Sequence, residues 1–588
     1  MRSPSFLVVG LAAALSLSAA AVADSRPNIV LIVADDVGFS DFGAFGGEID
    51  TPNIDQLADE GVRFSNFHAA SSCAPTRAML LTGLDSHIAG VGSMRELMPL
   101  SHRGKPGYLG VLDPAVKTLS EVLKDAGYRT SVAGKWHLGH EPGNLPPERG
   151  FDYSVIQAES GSDNFEMRPY LPMQAEVFWY ENGQRMNALP EDFYSSRYFV
   201  DKTIAFLEES PRANTPDSPF FAYVAFQANH TPLQAPAHFI DAYRGRYIEG
   251  WADVQRKREN RLREMGLFAG DAVFSPGPTQ AAWDTLTPEA RYFEARRMQA
   301  YAGMATAMDY EIGRLKQYLA DSGELSDTLF ILLSDNGAVA NEPYSSDYAR
   351  DWLEKHYHRE VESLGEKGSW VAAGSRWGVV SNTPLRDFKF FAGEGGVRVP
   401  LIIAGAGVAA QGAIYSEFTH VTDLVPTVLE AAGIRPPSPA KPEFVLEGVS
   451  LLPALAGGSA PLRSNEASTG YEFSGNAALF QGDYKLKKNM PPLGENRWQL
   501  FNLRIDPGET ADLREAEPER FQRMLEAYAE YERRAGVLPI PESYRLPRQV
   551  AINSLLFVFL PRYLPYAAVL FLLLCGSYFG WRRWRARR

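Results

Sequence analysis

Four apolar runs, each followed by polar or charged residues, constrain this chain most. Residues 28–33, 129–133, 219–226 and 328–333 read as buried strands. Asp35-Asp36 follow the first, Lys135 and His137 the second, His230 the third and Asp335-Asn336 the fourth. A fifth run covers 399–404. Amphipathic stretches lie between them, with helices expected at 53–60, 117–126 and 289–319, and one that is capped by Thr422-Asp423 and ends near Gly433. The alternation specifies an α/β fold: a large mixed, mostly parallel sheet with helices on both faces. Ligands bind at the carboxyl ends of strands in such sheets. If the four strands are parallel neighbours, their polar residues gather at one edge.

Both ends of the chain are apolar. Arg2, the run 6–21 and Ala21-Val22-Ala23 read as a signal peptide over 1–23; the run is too short for a first anchor and ends in small residues. Residues 564–581 carry no charge and are just long enough to span a bilayer. Arg582, Arg583, Arg585, Arg587 and Arg588 follow, a basic tail (582–588) that belongs in the cytoplasm and leaves the body outside. Residues 550–561 are also apolar and stop at Pro561-Arg562. They read as an interfacial segment, with a hairpin of two spans as the alternative. The chain is therefore expected to be exported and membrane-anchored through its C-terminal helix, with the folded body in a bacterial periplasm.

Gly457-Gly458-Ser459 divides the exported part. A larger domain is expected over 24–455, a smaller α+β domain over 456–535 and a Pro-rich linker over 536–549. The smaller domain carries strand-like pieces at 484–487 and 498–503, and a charged helix at about 518–534 whose acidic side reads as solvated. The net charge of -13 argues against nucleic acid as a partner. An anionic substrate would need a local basic pocket. Only two cysteines are present, Cys73 and Cys575, and Cys575 falls inside the expected span. Cys73 is thus alone in an oxidising compartment, which excludes a disulfide framework there. A lone thiol of this kind is either buried or chemically used.

Cys73-Ala74-Pro75-Thr76-Arg77 favours chemistry. Pro75 suits a first helical turn and Thr82-Gly83 a helix end, so Cys73 sits at a helix N-terminus, where backbone N–H groups favour an anion. With 40 prolines and at most 58 arginines in 588 residues, chance places Cys-x-Pro-x-Arg at either cysteine less than roughly 2% of the time, so the pattern is a signal.

This segment resembles the signature of the sulfatases, in which the cysteine is oxidised to formylglycine by a maturation enzyme. Thr76 stands where Ser is commonest and keeps the hydroxyl; Leu84 stands where Arg often follows Leu-Thr-Gly. The resemblance extends over 29–38 with its two aspartates, 127–139 with Lys135 and His137, Ser334-Asp335-Asn336-Gly337, and 382–400 with Lys389. It covers roughly 26–535 and implies an alkaline-phosphatase-like fold. It also implies a sulfuric ester hydrolase of arylsulfatase-like type that takes small anionic sulfate esters. Asp35, Asp36, Asp335 and Asn336 offer only oxygen, and a hydrated residue 73 adds another, which suits one hard divalent cation. The family's usual ion is calcium, with magnesium the alternative.

By the same resemblance, Arg77 holds the formylglycine hydroxyl, Lys135 and Lys389 bind sulfate oxygens, and His230 contacts sulfate and assists the leaving oxygen. His137 is the base that releases sulfate. Fixed cations around a transferring sulfuryl group lower its barrier electrostatically. Segment 228–236 and the stretch from Gly368-Ser369-Trp370 to Pro384 resemble bacterial arylsulfatases. Two other readings stand beside this one: a phosphonate or phosphate ester hydrolase of the same superfamily, and a non-enzymatic membrane-tethered binding protein. His87 beside Asp85 reads as structural, with a place at the site's edge as the other option. His420 reads as packed near the Thr422-Asp423 cap. Trp370, Trp377, Phe388, Phe390 and Phe391 fit a substrate wall or core packing equally.

Overall fold

The four apolar runs form adjacent parallel strands in the computed structural model, which describes residues 26–209, 218–340, 342, 346–442 and 444–588. The expected signal peptide lies outside the described residues. In chain order the strands of the main body are β1 (Asn28–Ala34), β2 (Gly61–Phe64), β3 (Phe67–His68), β4 (Arg129–Lys135), β5 (Tyr153–Gln157) and β6 (Trp179–Glu181). They continue as β7 (Gln184–Arg185), β8 (Phe220–Ala225), β9 (Thr328–Ser334), β10 (Leu401–Gly405), β11 (Ala413–Tyr415) and β12 (Thr419–His420). Ten of them make one sheet in the order β11-β2-β10-β9-β1-β8-β4-β5-β6-β7, and β3 pairs with β12 separately. Strands β9, β1, β8, β4 and β5 run parallel. The fifth apolar run, β10, is antiparallel to β9, so the sheet is mixed.

Every residue of β1 is buried. Val30 and Ile32 face one core and Ile29, Leu31 and Val33 the other, the continuous apolar pattern of a strand covered on both faces. The long helix Pro288–Asp321 covers the first face, burying Met298, Met304, Met308, Ile312 and Leu315. Helices Leu119–Asp125 and Leu424–Ala431 cover the second. Thr118 and Glu121 form a reciprocal capping box at the start of the former.

The C-terminal part folds as an antiparallel sheet, β13 (Ser468–Phe473), β14 (Asn476–Gln481), β15 (Tyr484–Lys488) and β16 (Gln499–Asn502). Helix Pro518–Ala535 lays Met524, Tyr528 and Tyr531 on it, while most of its charged residues stay outside. The chain then crosses the body and enters a 41-residue helix, Leu546–Ala586, long and apolar enough to cross a bilayer. Pro561-Arg562 does not interrupt it. A π-helical turn, Leu555–Phe559, precedes the proline and the helix continues.

Candidate active site

The parallel strands end side by side, and their polar followers meet there. Asp35 and Asp36 leave β1, with Asp36 in the left-handed conformation that Asp tolerates. Lys135 closes β4. Gly134 precedes it with φ +128°, and a Cβ there would stand 1.8 Å from the Ala225 carbonyl oxygen, so only glycine lets β4 approach β8 this closely. Asp335 and Asn336 leave β9. Gly337 follows because a Cβ would come 1.8 Å from the Gly395 carbonyl oxygen. His230 comes from the loop after β8, and Lys389 from the loop before Glu394–Val397.

Cys73 opens the helix Cys73–Thr82, and Gly83 closes it in the left-handed conformation. Ser72 leaves the first-turn N–H groups uncapped by its side chain. Thr76 Oγ1 instead accepts from the Ala70 amide at 2.9 Å and fastens the preceding loop. The retained hydroxyl thus has a structural use. Leu84 is buried and brings no charge to the cluster.

Oxygens of Asp35, Asp36 and Asp335 and the Cys73 sulfur all lie within 4.8 Å of one another. Lys135 Nζ donates to Asp35 Oδ2 at 2.6 Å and lies 3.3 Å from Cys73 Sγ. Lys389 Nζ donates to Asp36 Oδ1 at 2.5 Å and lies 3.1 Å from the same sulfur. Arg77 donates through Nε and Nη2 to Asp335 Oδ2 at 3.0 and 2.6 Å, and through Nη1 to the Lys135 carbonyl. Asn336 Nδ2 donates to Asp36 Oδ1 at 2.7 Å, while its buried Oδ1 has no partner. His230 Nδ1 lies 2.7 Å from the Thr231 carbonyl, which leaves Nε2 3.8 Å from Asp36 Oδ2. His137 lies in the same field, near Lys135, Arg77, Lys389 and His230. All ten residues assigned to the site in the sequence therefore gather in one buried cluster.

Three carboxylates buried together are electrostatically costly unless cations compensate them. Burial pushes the Asp35 carboxyl up to about 7 against Lys135. Burial opposes ionisation of Asp36 too, but Lys389, His230 and Lys135 outweigh it and hold that group down. Burial, then Asp335, pushes the Cys73 thiol up to about 12. Burial and the surrounding cations hold His137 and His230 well below the usual histidine range. The convergent carboxylate oxygens and the orphaned Asn336 oxygen fit a hard divalent cation.

Contacts from Tyr170, from Phe390 and from Tyr471 of β13 complete the site. The Tyr170 ring stands edge-on to His230 with centroids 5.3 Å apart. Tyr471 OH meets the amide of Ser71 at 3.2 Å and its hydroxyl as well, and Phe390 N donates to the Ser71 carbonyl at 2.7 Å. None of these three residues lies in a periodic pattern around the site, and only Phe390 falls in a motif. Of the aromatic residues with two readings, Trp370 and Trp377 are core, while Phe390 lies next to the Lys389 ammonium.

Comparison with known proteins points to one family. The family model described as Sulfatase matches residues 27–434. An uncharacterized sulfatase of Schizosaccharomyces pombe is 36% identical over 88% of this chain and 96% of its own length. An arylsulfatase of Klebsiella aerogenes is 38% identical over 75% of this chain and 95% of its own. The crystal structure of Ps i-CgsB in complex with a neocarrahexaose shares the fold, with a TM-score of 0.63 at 23% identity over 91% of this chain and 98% of that one.

Proposed function

Because this chain belongs to the sulfatase family and is a sulfuric ester hydrolase, we propose that it cleaves aryl sulfates with a nucleophile made from Cys73. The carrying observation is the Cys73 sulfur, held between two buried ammonium groups and beside three carboxylates. In this reading position 73 is oxidised to formylglycine, whose hydrated form supplies a hydroxyl where the thiol stands. Asp35, Asp36, Asp335 and Asn336 hold a divalent cation, calcium by family habit, which supplies Lewis-acid polarisation when bound.

The chain's own residues do the rest. Three carboxylates and the side chains of Lys135, Lys389 and Arg77 balance one another, so with a divalent cation held there the pocket would carry a net positive charge suited to a sulfate monoester. Lys135 and Lys389 neutralise the sulfate oxygens. His230 donates from Nδ1 to the Thr231 carbonyl, so Nε2 faces the leaving oxygen. An arriving anion raises its proton affinity, which fits it to protonate that oxygen. His137, kept neutral by burial and by its cationic neighbours, has a free lone pair and serves as the base in the second half of the cycle.

The two ends of the chain complete the proposal: a cleaved leader, an export route to the periplasm, an apolar segment at 550–561 on the membrane surface, a span at 564–581 and a cytoplasmic basic tail. The decisive experiment is the intact mass of the tryptic peptide around Cys73, combined with turnover of nitrophenyl sulfate by the wild type and Cys73→Ala. The expected result is an aldehyde in place of the thiol and loss of turnover in the variant. An unmodified thiol in fully active enzyme would sink the proposal. Parallel turnover of a nitrophenyl phosphonate tests the competing ester class; a phosphonate rate far above the sulfate rate would replace this reading.

A further inference from the structure

Two loops connect the root of the C-terminal helix to the pocket. The first is 94–103. Its Met94 Sδ accepts from Ser72 Oγ at 2.7 Å, directly before Cys73. Asn553, inside the helix root, donates to the carbonyls of Arg95, Glu96 and Met98 at 3.2, 2.9 and 3.0 Å. Tyr544 OH donates to the Leu97 carbonyl at 3.0 Å, and the Arg103 guanidinium lies 3.7 Å over the Phe557 ring.

The second loop is 160–177. Gly161 packs so close to His230 that a Cβ would stand 3.2 Å from Nδ1. Gln174 Nε2 donates to the Gly161 carbonyl at 3.1 Å. Next to Gln174, the Ala175 carbonyl accepts from Arg562 Nη1 at 2.8 Å. The loops that border Cys73 and His230 are thus the loops on which the helix root sits.

The junction is apolar and open. Leu100 of the first loop is 48% exposed, and Leu555, Phe557, Leu560 and Tyr563 of the helix are 53, 47, 42 and 58% exposed. Exposed apolar side chains gathered around one helix root mark an interaction site. Here its continuation is the uncharged segment 564–581, so the matching occupant is a bilayer. With the span starting just past Arg562, the membrane surface falls at the level of the 171–177 loop.

On the basis of the sulfatase and membrane readings, we propose that the pocket opens at the bilayer surface and takes amphiphilic sulfate esters. The sulfated head enters between loops 94–103 and 160–177, and the apolar tail stays in the lipid. A tail left in place keeps its membrane binding, which grows with every buried methylene. Confinement of enzyme and ester to one surface raises their effective concentration.

The test uses the full-length enzyme in phosphatidylcholine vesicles with two esters that share a phenol leaving group, para-methylphenyl sulfate and para-dodecylphenyl sulfate. About tenfold dilution with inert lipid, at constant bulk ester, should lower the dodecyl rate severalfold and leave the methyl rate unchanged. The double variant Asn553→Ala/Arg562→Ala keeps the span but loosens its seat. It should lose about fivefold or more on the dodecyl ester, relative to the methyl ester. Equal dependence of the two esters on lipid dilution overturns the proposal whatever the variant does. So does an unchanged ratio of the two rates in the variant. Absence of turnover of both esters by the wild type would instead count against the sulfatase reading.

Discussion

Two buried charge clusters in this protein are built differently. Where β15 meets the main body, acid and base alternate. Lys485 Nζ donates to Glu394 Oε1 at 2.8 Å and lies 3.1 Å from Glu509, Lys487 lies 3.0 Å from Glu509, and His68 Nε2 lies 3.1 Å from Glu394. Burial opposes ionisation of Glu394, yet Lys485 and His68 outweigh it and hold the carboxyl far below its ordinary range. At the strand ends, by contrast, like charges converge: oxygens from three aspartates crowd one point, cations stand around them, and an amide oxygen is left without a partner. Alternation sets each carboxylate against a cation and ties β15 to the main body. Convergence has a cost that only a further ligand relieves, and that separates a site from an internal staple.

The comparison breaks if the convergent cluster tolerates loss of a charge. Asp36→Asn should lower kcat/KM on nitrophenyl sulfate by at least about 10⁴, roughly 5 kcal/mol of transition-state stabilisation. Activity within a factor of ten of wild type would make the aspartates structural. Glu394→Gln should do the opposite. It leaves Lys485 with less compensation and costs about 3–5 kcal/mol of stability, visible as a lower denaturation midpoint, while the folded fraction keeps most of its activity. Removal of divalent ions sharpens the contrast. A chelator should abolish turnover and lower Tm, and calcium at about a hundred times its Kd should return roughly 2.7 kcal/mol. Recovery with magnesium but not calcium would change the ion assigned to the pocket.

A third cluster gives a pH test. His87 lies 3.1 Å from Asp85 and 3.0 Å from Glu472, which joins the loop after the Cys73 helix to β13. Burial disfavours its charge, but hydrogen bonds to Asp85 and Glu472 raise it to about 10. The unfolded chain titrates near 6.5, so the stabilisation is whole below pH 6.5 and is lost as pH rises through about 10. Tm should fall by roughly a few degrees across the alkaline part of that window, and His87→Gln should flatten the decline. A pH-independent difference between the two proteins would contradict the assignment. The smallest effect belongs to the exposed Arg533–Glu530 pair. Arg533→Ala should change stability by less than about 0.5 kcal/mol in a denaturant titration.

The strands and the polar groups at their ends are largely legible in the sequence because they arise from short-range pattern, whereas the places of Arg77 and Lys389 are read from the family resemblance. Uninterrupted β-branched and apolar residues such as 29–33 specify a strand buried on both faces, and the polar residues just past each strand gather at one edge. The direction of β10 is not legible, since an apolar run reads the same for either orientation. Helix continuity through Pro561 is hidden as well. Proline marks a boundary in sequence, whereas a π-helical turn before it carries the chain past. His87 beside Asp85 is legible as structural, but its second partner, Glu472, lies 385 positions away. His420 does pack beside the expected cap, 2.9 Å from Thr422 Oγ1. Tyr170 and Tyr471 leave no local trace, because tertiary packing alone brings them to the pocket.

Sequence distance inside the pocket also sets a timetable. Asp36 and Lys389 touch across 353 positions. At ribosomal rates of 5–20 residues per second, Lys389 emerges roughly 20–70 s after Asp36. Throughout that interval the nascent chain lacks the ammonium group that covers one side of Cys73. The thiol, only 1% exposed in the finished protein, cannot reach its final burial before segments made minutes or fractions of a minute after it have been added.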